Sequence, residues 1–302
     1  MKRLKGKPAV MKRLRVATCQ FSVEGSISHN YHEIVRLMRE AASGGAEVAH
    51  FSESALSGYA GVDIPDSACI DWNELKLATR DIQALARELR LWVLLGSTHP
   101  LSGKNKPHNS VYVINARGEL VERYDKRFCT GQIDPDATFD LRYYSPGNRN
   151  SVFSLRGIRC GILICFDYRF PELFRELKRQ NVQVLFHSFH NARKSVVRDP
   201  SYNIWKTIVP ATMSCRAAEN HFWISANNSS TRPSCWPSFA VRPDGAIVGK
   251  LRLHQPGCMI TEFDVSDKYF DAPRHWRENA MRGIFHSGRI VDDPRSSDPR
   301  CL

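Results

Sequence analysis

The sequence predicts a layered α/β protein with mixed sheets. Three observations lead there. Strand-like and helix-like stretches alternate early, short strands dominate late, and no linker divides the chain.

Residues 14–21 (LRVATCQF) form an apolar run of strand length. Residues 29–42 place Tyr31, Ile34, Val35, Leu37 and Met38 at helical spacing and stop before Gly44-Gly45, a helix end signal. Residues 47–51 read as a short strand and 52–61 as a loop rich in Ser and Gly. Residues 72–89 are helix-like, and 91–97 are a strand. Residues 109–115 and 119–124 flank Ala116-Arg117-Gly118 as a hairpin. The polar stretch 129–150 is long enough to expect a functional loop. A strand over 159–165 and a helix over 171–180 follow, then a strand over 182–187. Residues 202–219 are helix-like, with Pro210 expected to kink or split them. Four short strands close the pattern at 222–226, 238–242, 246–251 and 259–263, the middle pair joined by the turn Pro243-Asp244-Gly245.

We expect one domain over 13–291, a disordered basic extension over 1–12, and a loose polar tail over 292–302 (DDPRSSDPRCL). Met11 begins a second MKRL identical to residues 1–4. The formal charge is +12, from 43 Lys and Arg against 31 Asp and Glu. Seven of those bases fall in the first fifteen residues; the rest are dispersed. Dispersed charge does not make a nucleic-acid reader, and no zinc-finger spacing or basic stripe interleaved with aromatics is present. Nine cysteines at irregular spacing, several in apolar runs, argue for a reducing compartment rather than a disulfide framework. No apolar run reaches bilayer length and no apolar signal core follows the basic start, so the expected location is cytoplasmic.

The sharpest chemical feature is residues 161–172, GILICFDYRFPE. An apolar strand ends at Cys165, and Pro171 suits the first turn of a helix. Cys165 then sits on a strand-to-helix turn of the kind that presents nucleophiles in other hydrolases. Taken alone, a cysteine there is more often simply the last buried residue of a strand. Glu53 likewise follows a strand into a loop (HFSESALSGYAG), and Lys126 follows a strand ending in Tyr124 (YDKRFCTG). Each singly reads as a surface charge.

In order, the FSES, YDKRF and GILICFDYRFPEL segments resemble the three catalytic motifs of the nitrilase superfamily, the carbon–nitrogen hydrolases, in its amidase or N-carbamoyl-amidase-like branch. The separations, 73 residues from Glu53 to Lys126 and 39 from Lys126 to Cys165, fit that layout. Tyr144-Ser145-Pro146-Gly147, residues 216–220 (RAAEN), Ala226-Asn227-Asn228 and Pro243-Asp244-Gly245 extend the resemblance over residues 13–265. It implies a four-layer α-β-β-α sandwich and pairing of subunits into a homodimer or higher homo-oligomer.

It also implies roles. Glu53 is the general base, Cys165 the nucleophile, and Lys126 with the Phe166 N–H the oxyanion donors. The product is a thioester, which water then cleaves, with neither metal nor organic cofactor. Asp140 stands where related enzymes commonly carry a second glutamate, one methylene shorter, and is expected to hydrogen-bond Lys126 and position substrate. Tyr59 and His190 complete the binding candidates. His187 and His190 form a His-x-x-His pair without a third ligand at metal spacing; pocket lining is preferred. Trp236 reads as pocket wall or core, and Arg169 and Glu172 as braces of the turn. The specificity loops are expected at 61–70, 129–150 and 191–201.

The leading function is therefore hydrolysis of a small amide or N-carbamoyl compound, with no nucleic-acid or membrane partner. A nitrilase using the same residues is the alternative; the run Cys165-Phe166-Asp167, in place of Cys-Trp-Glu, favours amides. A non-catalytic binding protein on the same fold is the reading from another class.

Overall fold

The computed structural model describes residues 13–133, 136, 138–191, 204–266 and 268–300. The expected extension over 1–12 lies outside them, as does most of the predicted loop 191–201.

Two six-stranded sheets form the centre. The first contains β1 (Arg13–Gln20), β2 (Val48–His50), β3 (Trp92–His99), β4 (His108–Ile114), β5 (Leu120–Asp125) and β12 (Gly257–Asp264), in the order β12-β1-β2-β3-β4-β5. The second contains β6 (Val152–Leu155), β7 (Ile158–Ile164), β8 (Val184–Ser188), β9 (Trp223–Asn227), β10 (Phe239–Val241) and β11 (Ile247–Lys250), in the order β11-β10-β9-β8-β7-β6. Each sheet is parallel across its three central strands and antiparallel outside them. The parallel crossovers carry the helices.

Alternation along the strands splits the core in two. Leu14 and Val16 of β1, Leu94 of β3, and Val111 and Val113 of β4 face the second sheet. Their neighbours Ala17, Cys19, Val93, Leu95, Tyr112 and Ile114 face α1 (Ile27–Ser43) and α2 (Trp72–Leu89). Ile34, Leu37, Met38 and Ala41 give α1 its buried stripe, and Ser26 caps it through His29 N. Asp71 caps α2 by accepting from Asn73 N and Glu74 N. On the far side, α4 (Pro171–Arg179) buries Leu173, Phe174 and Leu177, and α5 (Trp205–Asn220) buries Val209, Met213 and Ala217. The result is the α-β-β-α sandwich that the motifs imply.

Three expectations change. The helix at Pro210 is not split: α5 runs continuously through it. Packing of its buried stripe offsets the one backbone bond that proline cannot donate. Strand β6 was absent from the sequence reading; four residues pairing only with β7 at a sheet edge leave little periodic signal. The stretch 129–150 contains a helical turn, α3 (Asp140–Tyr143). Two further short helices, α6 (Arg277–Met281) and α7 (Pro294–Ser297), lie near the C-terminus, α7 within the exposed polar tail. No helix among the described residues is long and apolar enough to cross a membrane.

Candidate active site

Glu53, Lys126 and Cys165 each follow the last residues of a strand, and the sandwich brings those ends together. Glu53 enters on the loop after β2. That loop passes over β3, where Leu56 N donates to Gly96 O (2.9 Å). A Cβ on Gly96 would collide with the Ser52 carbonyl, so only glycine allows the approach. Glu53 N donates to Phe189 O, one residue past the end of β8 (3.2 Å). Its carboxylate is fully buried. Oε1 accepts from Lys126 Nζ and from Asn109 Nδ2, both at 2.8 Å. Oε2 has no hydrogen-bond partner among the described residues.

Lys126 leaves β5 with its backbone clamped on both sides: its N–H donates to Asn109 O (2.9 Å), and its carbonyl accepts from Gly147 N (2.8 Å). The ammonium is 1% exposed. It reaches Glu53 Oε1, Asp140 Oδ2 (2.8 Å) and the Tyr59 hydroxyl (3.2 Å). Burial acts to lower its pKa, but the Asp140 and Glu53 carboxylates outweigh burial and hold it well above the usual lysine value. Lys126 is a fixed cation.

Asp140 reaches Lys126 despite its shorter side chain. The turn of α3 enters through Phe139 at φ 48°, and Thr130 N donates to Asp140 Oδ2 (3.1 Å). Oδ1 accepts from the Tyr59 hydroxyl (2.7 Å). Tyr59 stacks on His190, ring centroids 5.5 Å apart. His190 Nε2 lies 2.9 Å from Asp63 Oδ2, on the predicted loop 61–70.

Cys165 follows β7 directly and has φ 42°, a region that side chains other than glycine rarely occupy. It opens a 3-10 segment, Cys165–Arg169, that leads into α4 through Pro171 at its first position. Burial, then the Glu53 carboxylate, push the thiol pKa up, while Lys126 opposes them. A thiol so placed needs a base before it can attack. Phe166 lies in the first turn of the 3-10 segment, where backbone N–H groups lack helical acceptors.

A cavity of about 190 Å³ opens onto these groups. Tyr59, Lys126, Asp140, Cys165, Phe166 and His190, all predicted, line it. Glu53, fully buried, is not among the lining residues and is hydrogen-bonded to Lys126, which is. Thr130, Tyr168, Asn191, Trp205, Pro233, Cys235 and Trp236 complete the wall. Trp236 is thus pocket wall. Arg169 braces that wall, its guanidinium 4.5 Å from the Trp205 ring centroid and 4.8 Å from that of Tyr168. His187 is a correction: it is fully buried behind the turn, its ring stacked on Phe189, with Nε2 3.1 Å from the Cys165 carbonyl. Burial lowers its pKa to about 3, so the neutral ring donates there. No cluster of three or more metal-ligating side chains exists among the described residues.

Sequence reasoning missed Asn109 and Asp167. Asp167 accepts from Tyr124 Oη, Phe128 N and Ile164 N. Its signal was adjacency to Cys165; that of Asn109 was a polar residue inside an apolar strand.

Comparison with known proteins finds the same fold among solved structures. Among solved structures, a glutamate variant of the amidase from Nesterenkonia sp. AN1, showing covalent addition of the acetamide moiety of fluoroacetamide at its active site cysteine, superposes with a TM-score of 0.71 at 21% identity. The match covers 88% of this chain and 96% of that one. A cysteine variant of the same amidase in complex with butyramide gives 0.72 at 20% identity, covering 89% and 96%. Among curated relatives, the omega-amidase of Xenopus tropicalis is 25% identical over 250 residues, 80% of this chain and 85% of the relative. The deaminated glutathione amidase of Mus musculus is 26% identical over 271 residues, 83% and 77% of the two chains. The carbon-nitrogen hydrolase family model matches residues 15–269, nearly the whole sandwich with all three motif residues, and the chain belongs to that family of the nitrilase superfamily.

Proposed function

We propose that this protein hydrolyses the C–N bond of a small carboxamide by covalent catalysis at Cys165. The observation that carries the reading is the buried Glu53–Lys126–Asp140 cluster set against a cysteine on a strained turn. A surface ion pair has no reason to be held this way, and burying charges is costly unless their geometry is used.

Each residue type has a task. Glu53 takes the Cys165 proton, and Oε2 is the carboxylate oxygen with no other donor to satisfy. The sulfur attacks the carbonyl carbon, and the carbonyl π electrons move onto oxygen. Lys126 and the Phe166 N–H stabilise that oxyanion. Of the three Lys126 contacts, the 3.2 Å one to Tyr59 is the longest and the easiest to exchange for the oxyanion. The tetrahedral adduct collapses, the C–N bond breaks, and the amine leaves with the proton from Glu53. Glu53 then deprotonates water, which attacks the thioester and returns the thiol with release of the acid. Asp140 keeps Lys126 charged, and Tyr59 holds Asp140.

The cavity size supports a small substrate, since pockets for drug-sized ligands measure roughly 300–1,000 Å³. The relatives' names favour amides over nitriles. The test is ammonia release from a panel of small amides, N-carbamoyl amino acids and nitriles, with wild type and Cys165→Ala side by side. The expected result is release from amides by wild type alone, with a loss on the order of 10⁴-fold or more in the variant. Equal release by both proteins would remove Cys165 from the reaction.

A further inference from the structure

Cys19 and Cys258 are direct partners across the antiparallel pair β1–β12. Their sulfurs are 3.9 Å apart. Neither of them lines the Cys165 cavity. Cys19 is fully buried against α1, whereas Cys258 is partly exposed.

Strand geometry already satisfies much of what a disulfide requires. Directly opposed residues of an antiparallel pair have Cα atoms about 4.5 or 5.5 Å apart. Disulfides span about 4.4–6.8 Å. The remaining adjustment is at Cβ, where opposed residues stand about 4.5–5.5 Å apart and a disulfide prefers about 3.8 Å. β12 is the edge strand of its sheet, so among the described residues it is hydrogen-bonded to a strand on one side only, and its ladder resists that approach less than a central strand's would. The bond would still carry strain, and strained disulfides are the readily reduced ones.

We propose that Cys19 and Cys258 form a reversible intrachain disulfide when the protein meets a peroxide. Cys258 reacts first. It is the accessible member, and the Cys19 S–H donating to its sulfur holds its pKa below the ordinary thiol value. Burial pushes the Cys19 thiol up and keeps it protonated. The Cys258 thiolate attacks one peroxide oxygen, the O–O bond breaks, and a sulfenic acid and hydroxide form. The Cys19 sulfur then attacks the sulfenic sulfur, and its proton leaves with the departing hydroxyl as water. Two thiols lose two electrons and two protons, and one peroxide becomes two waters. A reductant such as a dithiol reverses the bond by exchange.

The experiment uses the full chain and needs no substrate, so its failure leaves the amidase reading untouched. Wild-type protein is treated with hydrogen peroxide, freed of peroxide, unfolded in guanidinium chloride, alkylated with iodoacetamide, digested and analysed by mass spectrometry. The expected result is one peptide joining Cys19 to Cys258, lighter by two hydrogens than the separate peptides and released by dithiothreitol. Cys258→Ser should leave Cys19 alkylated after the same treatment. The proposal is overturned if wild type yields Cys19 and Cys258 both alkylated under conditions that oxidise the exposed Cys69 or Cys215. Linkage of Cys19 to some other cysteine would overturn it equally. Should Cys258→Ser fail to fold, the wild-type peptide alone decides.

Discussion

Asp167 accepts the hydroxyl of Tyr124 at 2.8 Å. Through that bond, and those from Phe128 N and Ile164 N, one carboxylate ties the turn bearing Cys165 to the segment bearing Lys126. Two of the three catalytic candidates are thus positioned against each other by a residue that touches neither reacting atom.

Asp167→Asn should loosen that tie. Asparagine offers one acceptor oxygen where three donors converge, so at least one buried donor is left unpaired, at a cost of about 1–3 kcal/mol. Activity should fall while Cys165 remains present. There is also a pH signature. Burial raises the Asp167 pKa from 3.8 to about 6, against the pull of its three donors. Between those values the folded state binds more protons than the unfolded state, so this group's contribution to stability falls as pH rises through the window. The stability gap between wild type and Asp167→Asn should therefore widen as pH drops from 6 toward 3.8 in thermal melts. A gap independent of pH would mean that Asp167 titrates normally.

Asp140→Asn tests the cation. Asp140 is the strongest influence raising the Lys126 pKa, and burial pulls the other way. Without that carboxylate the ammonium should lose its proton at lower pH. The basic limb of the kcat/KM profile should move down in pH, with activity reduced roughly 10²-fold or more even below that limb. Asp140→Glu should be the milder change where Lys126 is concerned. It inserts a methylene into a fully buried position, at a cost of about 1–3 kcal/mol in stability. A kcat/KM profile for Asp140→Asn that overlays wild type would detach Asp140 from Lys126 function.

The layers were legible because their helices have strong periodicity and capping residues, as α2 does over Trp72–Leu89. Glu53, Lys126 and Cys165 were legible because each follows a strand within a recognisable motif. Asn109 was not, because its partners Glu53 and Lys126 come from distant sequence and only the packing of β4 beside those segments reveals it. His187 was misplaced for the opposite reason. A polar residue at a strand end suggests a pocket, but whether the ring points to the cavity or behind it depends on strand register.

Trp236 and Tyr168 should set selectivity. Both are 5% exposed, both line the cavity, and neither the indole N–H nor the tyrosine hydroxyl has a hydrogen-bond partner among the described residues. Unpaired buried donors favour a ligand that supplies an acceptor. Trp236→Phe keeps the aromatic wall and removes the donor. It should raise KM for amides with a second carbonyl or ether oxygen about 10-fold while leaving simple aliphatic amides near wild type. Uniform loss across both groups would make Trp236 a structural wall only.

His50 supplies a separate test, away from the chemistry. It sits fully buried between the sheets, with Nδ1 2.9 Å from Ser225 Oγ and Nε2 2.9 Å from Ser188 Oγ. One ring therefore bridges β2 to both β8 and β9. Burial, reinforced by His187, lowers its pKa from 6.5 to about 3. The unfolded chain takes up a proton in that window and the folded chain does not, so the contribution of His50 to stability is present above 6.5 and is lost as pH falls toward 3. His50→Gln cannot titrate and cannot span both serines at the ring's separation. At neutral pH it should cost about 1–3 kcal/mol, the penalty of leaving buried polar groups unpaired. That deficit should shrink as pH falls from 6.5, because wild type alone loses stability through His50 there. The measurement is urea unfolding of both proteins across that range. A deficit that stays constant would show that folding does not shift the His50 pKa, and one that grows on acidification would show that the folded protein protonates His50 more readily than the unfolded chain does.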